Sequence, residues 1–473
     1  MDLTERRTVD LVHQMAALKR EFADWRARSA PGEHLEKHHT QIQRITTRLE
    51  EFLDKEADIP VQGRASFGDL ERSFTFILGA HRIWDFFRSK LALRDIALLQ
   101  SALLCADELA WKCYSPARQL AGAAGTIPAA ELKEPPLVYF SGEATPFVQS
   151  RNTPFVPEGI TARDIRDFGL AILSLPIPVV GVPWFQFNHL PAAVVISHEV
   201  GHAVEHDFGI EPVVEQLITN LQLPDGRQDA WLAWRHEIFA DVYAVLCTGP
   251  AYVLALMDYL VSSAQAIQQE MLTAANWGRY PTRFLRMELN FELLSQLGLL
   301  QPLHDTLATL GLQNSDLVGL WRNTYKFHLM EQYVEDLQAI VSVLLEGPYP
   351  VFGKITLPDG GQRDRKLHDV INFTPKNLES ARKLAVDVNQ GNALASGLPV
   401  GQLFPAATLA YYADPDSYNT KNANSALIEQ IRRVIQPGVR SGDPGLADEQ
   451  RQQLEVADRE AGRKLAEFFE AAR

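Results

Sequence analysis

The sequence predicts a mainly α-helical protein with one small β-sheet in its central part. Apolar residues recur at helical spacing through most of the 473 residues. The exception is the range 137–187, which is rich in Pro, Val, Phe and Gly and contains runs of β-branched and aromatic residues. We therefore expect a central block at 131–300 that holds the sheet, between helical regions at 1–130 and 301–473.

The N-terminal region begins with two predicted helices. The first extends to about Arg28, where the turn-forming residues at 29–32 interrupt it. The second carries an apolar seam typical of a helical hairpin or a short coiled coil, made of Leu35, Ile42 and Leu49, with Ile45 and Phe52 beside it. We interpret this seam as a packing surface rather than a dedicated partner site. Two further helices are expected at 67–99 and 103–123.

The central and C-terminal regions alternate between strand, helix and loop patterns. Strands are expected at 137–140 and 179–187, and helical spacing returns from Ala192 to about Leu310 and again over 316–345. A loop-rich patch at 347–361 follows. A polar linker at 437–445 leads to a terminal amphipathic helix whose apolar residues are Leu454, Ala461, Leu465 and Phe468.

Composition argues against two classes of partner. The net charge is −14, from 59 acidic and 45 basic residues, and no dense Lys/Arg run is present. Nucleic acid and anionic membrane surfaces both select a basic face, so we expect neither as a partner. The three cysteines have no CxxC spacing, and no apolar leader follows Met1, so we expect a cytoplasmic protein.

The segment His198-Glu199-Val200-Gly201-His202 has the spacing of a metal site. Residues four apart share one helical face, so His198 and His202 can present two imidazole nitrogens to one metal ion. Glu199 is offset by one residue and flanks the metal, where a general base is needed. The alternative is an ordinary buried helix with two hydrogen-bonded histidines.

A second segment supplies a candidate third ligand. Catalytic zinc takes three protein ligands and keeps one position open. Glu237 and Asp241 are again four apart, so Glu237 can complete a His-His-Glu set while Asp241 accepts a hydrogen bond from a ligand histidine. An exposed ExxxD pair is common by itself, but the apolar residues around this pair favour buried carboxylates that need a partner.

HExxH followed by ExxxD resembles the gluzincin zinc metallopeptidases, which include thermolysin and the CaaX-prenyl and heat-shock membrane proteases. Within this group it resembles the CaaX-prenyl and heat-shock membrane proteases, and also the related β-lactam-sensor proteases, because Asp207 lies where these families often carry Asp. The range 280–286 also resembles their HPxxxxR motif, with Tyr280 in place of His and Arg286 at its end. The resemblance covers about 137–300 and includes neither the helical flanks nor any membrane-spanning helix.

The resemblance implies three further features. Tyr280 would stabilise the negative charge on the reacting carbonyl oxygen, with Arg286 as its brace. The strand at 179–187 would be an edge strand that pairs with the substrate backbone. The alternatives are a packed tyrosine and a plain core strand.

These observations predict a zinc-dependent endopeptidase that binds one Zn²⁺ per chain through His198, His202 and Glu237. Glu199 is the expected general base. The expected partner is a protein or peptide substrate, and the helical flanks suggest a latent or partner-regulated enzyme. Two alternatives remain: a helical binding or regulatory protein whose metal site is structural or vestigial, and a hydrolase acting on a non-peptide amide.

Overall fold

A computed structural model describes the chain over residues 2–56, 66–128, 131–143, 145–149, 177–186, 189–224, 226–273, 278, 280–325, 331–395, 397–434 and 448–471. Within these ranges it is mainly helical with a small central sheet, as the sequence predicts, and it has a second small sheet that the sequence does not predict. None of the helices in these ranges combines the length and apolar character that crossing a bilayer requires.

The helices before the sheet are α1 (Leu3–Arg28), α2 (His39–Glu56), α3 (Phe67–Ala92) and α4 (Ala97–Ala124). The helices of the central block are α5 (Leu190–Ala193), α6 (Ile196–Asp207), α7 (Glu211–Thr219), α8 (Arg227–Thr248), α9 (Pro250–Leu260), α10 (Ala264–Thr273) and α11 (Arg283–Gln296). The later helices are α12 (Leu300–Thr309), α13 (Leu317–Tyr325), α14 (Glu331–Val334), α15 (Leu337–Glu346), α16 (Pro375–Gln390), α17 (Val400–Ala413), α18 (Pro415–Thr420), α19 (Ala423–Val434) and α20 (Asp448–Ala471).

The central sheet has three described strands, β1 (Leu137–Ser141), β2 (Phe147–Gln149) and β3 (Val179–Pro183), in the order β1-β3-β2. β3 pairs in parallel with β1 and antiparallel with β2. Because β3 is hydrogen-bonded on both sides, the prediction that 179–187 is an edge strand is wrong. The strand also ends at Pro183, a short 3₁₀ turn follows, and residue 187 lies outside the described residues.

Side chains on the two faces of the sheet enter two different hydrophobic clusters, because successive strand residues point to opposite faces. Val138 and Val180 pack into the larger cluster, together with α4, α6, α8, α9 and α11. Leu137 and Val179 pack into a smaller cluster built by α1, α2 and α3. The sheet therefore joins an N-terminal helical layer to the main core. The division of the chain into regions at 1–130, 131–300 and 301–473 stays a prediction.

The terminal helix α20 packs along α2 in the smaller cluster. All five residues of the predicted seam are buried there, four of them on α2 and Leu35 just before it, which confirms the packing role of the seam. Asp458 of α20 accepts hydrogen bonds from Arg44 Nε at 2.9 Å and Arg48 Nε at 2.7 Å. The two ends of the chain are thus held together by a buried ion cluster.

A second sheet is an antiparallel hairpin of β4 (Lys354–Thr356) and β5 (Gln362–Asp364). Its first strand lies within the patch at 347–361 that the sequence predicts to be loop, and its second strand follows that patch directly. Its strands are three residues long and largely exposed, so they show no alternation that a sequence pattern would detect.

Candidate metal centre

Two helices of the main core position the candidate ligands. α6 carries His198 and His202 one turn apart, and α8 carries Glu237 and Asp241 one turn apart. The helices pack closely because Gly201 has no side chain. A Cβ atom at Gly201 would lie 2.9 Å from the Cα atom of Ala240 on α8.

The three predicted ligands meet at one point. The Nε2 atoms of His198 and His202 are 3.2 Å apart, and they lie 3.3 and 3.6 Å from the two carboxylate oxygens of Glu237. Ligand atoms about 2.1 Å from a tetrahedral metal ion are separated by about 3.4 Å, so these spacings fit such an ion. His198, His202 and Glu237 could therefore hold a metal ion, as the sequence predicts.

Asp241 contacts His198, the ligand that it is predicted to orient. The carboxylate of Asp241 is fully buried, and its Oδ1 lies 2.9 Å from His198 Nδ1. In the neutral imidazole, a hydrogen bond from Nδ1–H to this oxygen leaves the lone pair of Nε2 free, on the side facing Glu237 and His202. The contact therefore holds the imidazole in the tautomer that binds metal.

Arg286 lies behind the ligands, on α11. Its guanidinium donates to both oxygens of Asp241, from Nε at 2.8 Å and from Nη2 at 2.7 Å, and Nη2 lies 3.7 Å from Glu237. Arg286 thus lies at the site with Asp241 as its main partner, whereas its predicted role as the brace of Tyr280 stays a prediction. The buried positive charge compensates the carboxylates that the ligand cluster brings together.

Two residues of the same network have no counterpart in the sequence motifs. Asn290 donates from Nδ2 to Asp241 at 3.2 Å. It lies four residues after Arg286 on α11, so helical spacing alone could have indicated it. The hydroxyl of Tyr252, on α9, donates to Asp241 and lies 3.1 Å from His198 Nδ1. No local spacing relates Tyr252 to either motif.

The charges in the metal-free site set which groups carry a proton. Burial alone would lower the pKa of His198, but its hydrogen bonds with Asp241 and Glu237 prevail and raise that pKa to about 9. Burial and the neighbouring positive charge of His198 lower the pKa of His202 to about 3. Burial opposes ionisation of Glu237, yet the hydrogen bond with His198 brings its pKa down to about 2. A metal ion must therefore displace one proton, from His198.

The ligands lie at the wall of a cavity of about 520 Å³. Glu199 lines the same cavity and is only 7% exposed. Tyr280, at the mouth, is 55% exposed. The remaining wall consists of Thr145, Pro146, Phe147 and Val148 from β2 and the residues before it, Val195, Tyr252, Leu256, Tyr259 and Leu260, and Glu270, Pro281, Arg283 and Arg286. Glu199 and Tyr280, the predicted catalytic residues, thus line the same cavity as the candidate ligands, and the strand that lines this cavity is β2 rather than the predicted β3.

Asp207 and His236 contact other groups. Asp207 accepts a hydrogen bond from the hydroxyl of Tyr114 on α4 at 2.7 Å. His236 lies next to Glu237 in sequence, but its Nδ1 is 2.9 Å from the buried carboxylate of Glu205. Both contacts tie α6 to neighbouring helices and so support the frame of the ligand cluster.

The chain matches no protein-family model, no curated protein and no solved structure. Assignment of the site therefore depends on the geometry of its own residues.

Proposed function

We propose that the protein is a zinc-dependent peptidase that hydrolyses peptide bonds in the cavity beside β2. The observation that carries this proposal is the largely buried cluster of His198, His202 and Glu237, with Glu199 on the same cavity wall. A purely structural metal site has no use for an additional carboxylate that opens into a cavity.

The donor set favours zinc. Two imidazoles and one carboxylate are the three protein ligands that catalytic zinc takes in several hydrolases. A zinc ion bound there would supply Lewis acidity, which acidifies a water molecule and polarises a carbonyl group.

The side chains of this protein would move the proton and stabilise the charge. Glu199 follows His198 directly on α6, so its carboxylate can accept a proton from the attacking water and return it to the leaving amine. The hydroxyl of Tyr280, which lines the same cavity, would donate a hydrogen bond to the carbonyl oxygen as negative charge develops.

The cavity wall suggests how a polypeptide is held. β2 is the outer strand of the described sheet on the cavity side, and Phe147 and Val148 line the cavity. A substrate in extended conformation would pair with the outer edge of β2, which takes the role that the sequence assigned to β3. Leu256 and Leu260 would contact its apolar side chains.

The test is incubation of the protein with unfolded casein and a mixed peptide library, followed by mass spectrometry of the products. We expect new peptide termini with the zinc-loaded wild type. Replacement Glu199→Gln should retain zinc and lower the rate by about 10²–10⁴-fold, the usual contribution of a general base. Glu211→Gln, on the half-exposed first turn of α7, is the matched control and should cleave like the wild type.

Two results would contradict the proposal. Zinc-loaded protein that cleaves no peptide bond, but hydrolyses small non-peptide amides, would make the chain a different hydrolase. Protein that binds zinc and hydrolyses neither would favour the binding or regulatory alternative.

A further inference from the structure

The hydroxyl of Tyr252 makes three polar contacts inside the core. It donates to Asp241 Oδ1, lies 3.1 Å from His198 Nδ1, and accepts from Arg286 Nη2 at 3.4 Å. The residue is 1% exposed. One hydroxyl thus contacts the imidazole of a ligand, the carboxylate that orients that ligand, and the guanidinium that compensates the carboxylate.

The ring of Tyr252 also faces the ligand. It is nearly parallel to the imidazole of His198, with 6° between the planes and 6.0 Å between the centroids. The position depends on the turn before α9. Gly249 has a φ of 63°, and a Cβ atom there would lie 2.2 Å from the Phe373 ring, so this turn requires glycine.

The hydrogen bonds at Asp241 show what the hydroxyl adds. Oδ2 accepts from Arg286 Nε and Asn290, and Oδ1 accepts from Arg286 Nη2, His198 and Tyr252. A carboxylate has about four lone-pair directions, so these five donors share them and leave none unused. Each donor limits the positions that the carboxylate can adopt, and His198 follows the carboxylate.

We propose that Tyr252 is a positioning residue for the metal ligand His198, acting through Asp241 and through its parallel ring. The inference rests on the metal site of the proposed function and is independent of peptide hydrolysis. Loss of the hydroxyl leaves Asp241 with fewer fixed contacts, and the imidazole then samples orientations that bind metal poorly. Loss of such an outer contact usually costs about tenfold to a hundredfold in metal affinity.

The test compares Tyr252→Phe with Tyr243→Phe. Tyr243, on α8, is also fully buried, and its hydroxyl donates to the backbone oxygen of Cys113 at 2.7 Å. Each replacement removes one buried, hydrogen-bonded hydroxyl, but only the first removes a contact with the ligand network. Zinc affinity is measured by chelator competition, and the ligand geometry by the visible absorption of Co²⁺ bound in place of zinc.

We expect Tyr252→Phe to weaken zinc binding about tenfold or more and to shift the Co²⁺ spectrum. Tyr243→Phe should leave both unchanged, even where its melting temperature falls. Equal zinc affinity and equal spectra in Tyr252→Phe and wild type would overturn the positioning role while leaving the proposed function intact. Wild-type protein that binds neither metal would overturn both.

Discussion

Gly201 lies where α6 and α8 approach most closely, and replacing it with alanine tests how this approach builds the metal site. The added Cβ atom would be 2.9 Å from Ala240 Cα, 3.1 Å from Ala240 O and 3.3 Å from Ala240 Cβ. Carbon atoms in ordinary contact are about 3.5–4.0 Å apart, so the helices must separate by about 0.5–1 Å.

The separation affects metal binding more than stability. Overpacking costs about 1–3 kcal/mol, and alanine regains about 1 kcal/mol over glycine in a helix. The net loss in free energy of unfolding is therefore about 0–2 kcal/mol. The histidines are on α6 and Glu237 is on α8, so the same shift exceeds the roughly 0.2 Å tolerance of metal–ligand bonds several-fold. We expect zinc affinity to fall by at least about tenfold, or about 1.4 kcal/mol.

Chelator competition measures the zinc affinity, and urea unfolding of the metal-free protein measures the stability. The control is Gly68→Ala in the first turn of α3, where the nearest atom to a new Cβ is Ser66 Oγ at 3.7 Å. That variant should bind zinc normally and be at least as stable as wild type. Gly201→Ala protein with wild-type zinc affinity would refute the argument that close contact of α6 and α8 sets the ligand geometry.

Three other perturbations have defined outcomes. Because the raised pKa of His198 means that a proton competes with zinc below about pH 9, wild-type affinity should rise about tenfold from pH 7 to pH 8. In Asp241→Asn the pKa of His198 should return towards 6.5, so zinc affinity should depend less on pH between pH 7 and pH 8 than in wild type. An equally steep dependence of zinc affinity on pH in the variant and in wild type would contradict this reasoning. Arg286→Met removes the guanidinium that pairs with the buried carboxylate of Asp241, which then keeps only protonated His198 as a charged partner among the described residues. The free energy of unfolding of the metal-free protein in urea should fall by up to about 3–5 kcal/mol, the usual cost of breaking a buried ion pair, whereas a fall below about 1 kcal/mol would show that the fold does not need this ion pair. Asp458→Ala removes the buried carboxylate that pairs with Arg44, so it should lower the urea midpoint of unfolding while zinc affinity stays constant. Weaker zinc binding in this variant would show that the packing of α20 affects the metal site.

The ligands were predictable because helical geometry is local. A spacing of four residues fixes a shared face wherever the segment lies in the fold, so HExxH and ExxxD each define half of the site. Their meeting depends on Gly201 and Ala240, which belong to different helices. The expectation that the two halves form one centre came from the three protein ligands that catalytic zinc takes and from the apolar residues around Glu237 and Asp241.

The remaining features depend on contacts between distant segments. Tyr252 reaches Asp241 only because α9 folds back on α8 at Gly249. β3 is a central strand only because β2 pairs with it, and three residues are too few to show alternation in a sequence. Neither relation has a local signature, so both required the structure.

The most direct test of the metal centre is the metal content of purified wild type, Glu237→Ala and Glu199→Gln by plasma mass spectrometry. We predict about one zinc per chain in wild type and Glu199→Gln, and loss of zinc in Glu237→Ala, which removes one of three ligands. Absence of metal from all three proteins after zinc is supplied, or full zinc content in Glu237→Ala, would contradict the His-His-Glu centre.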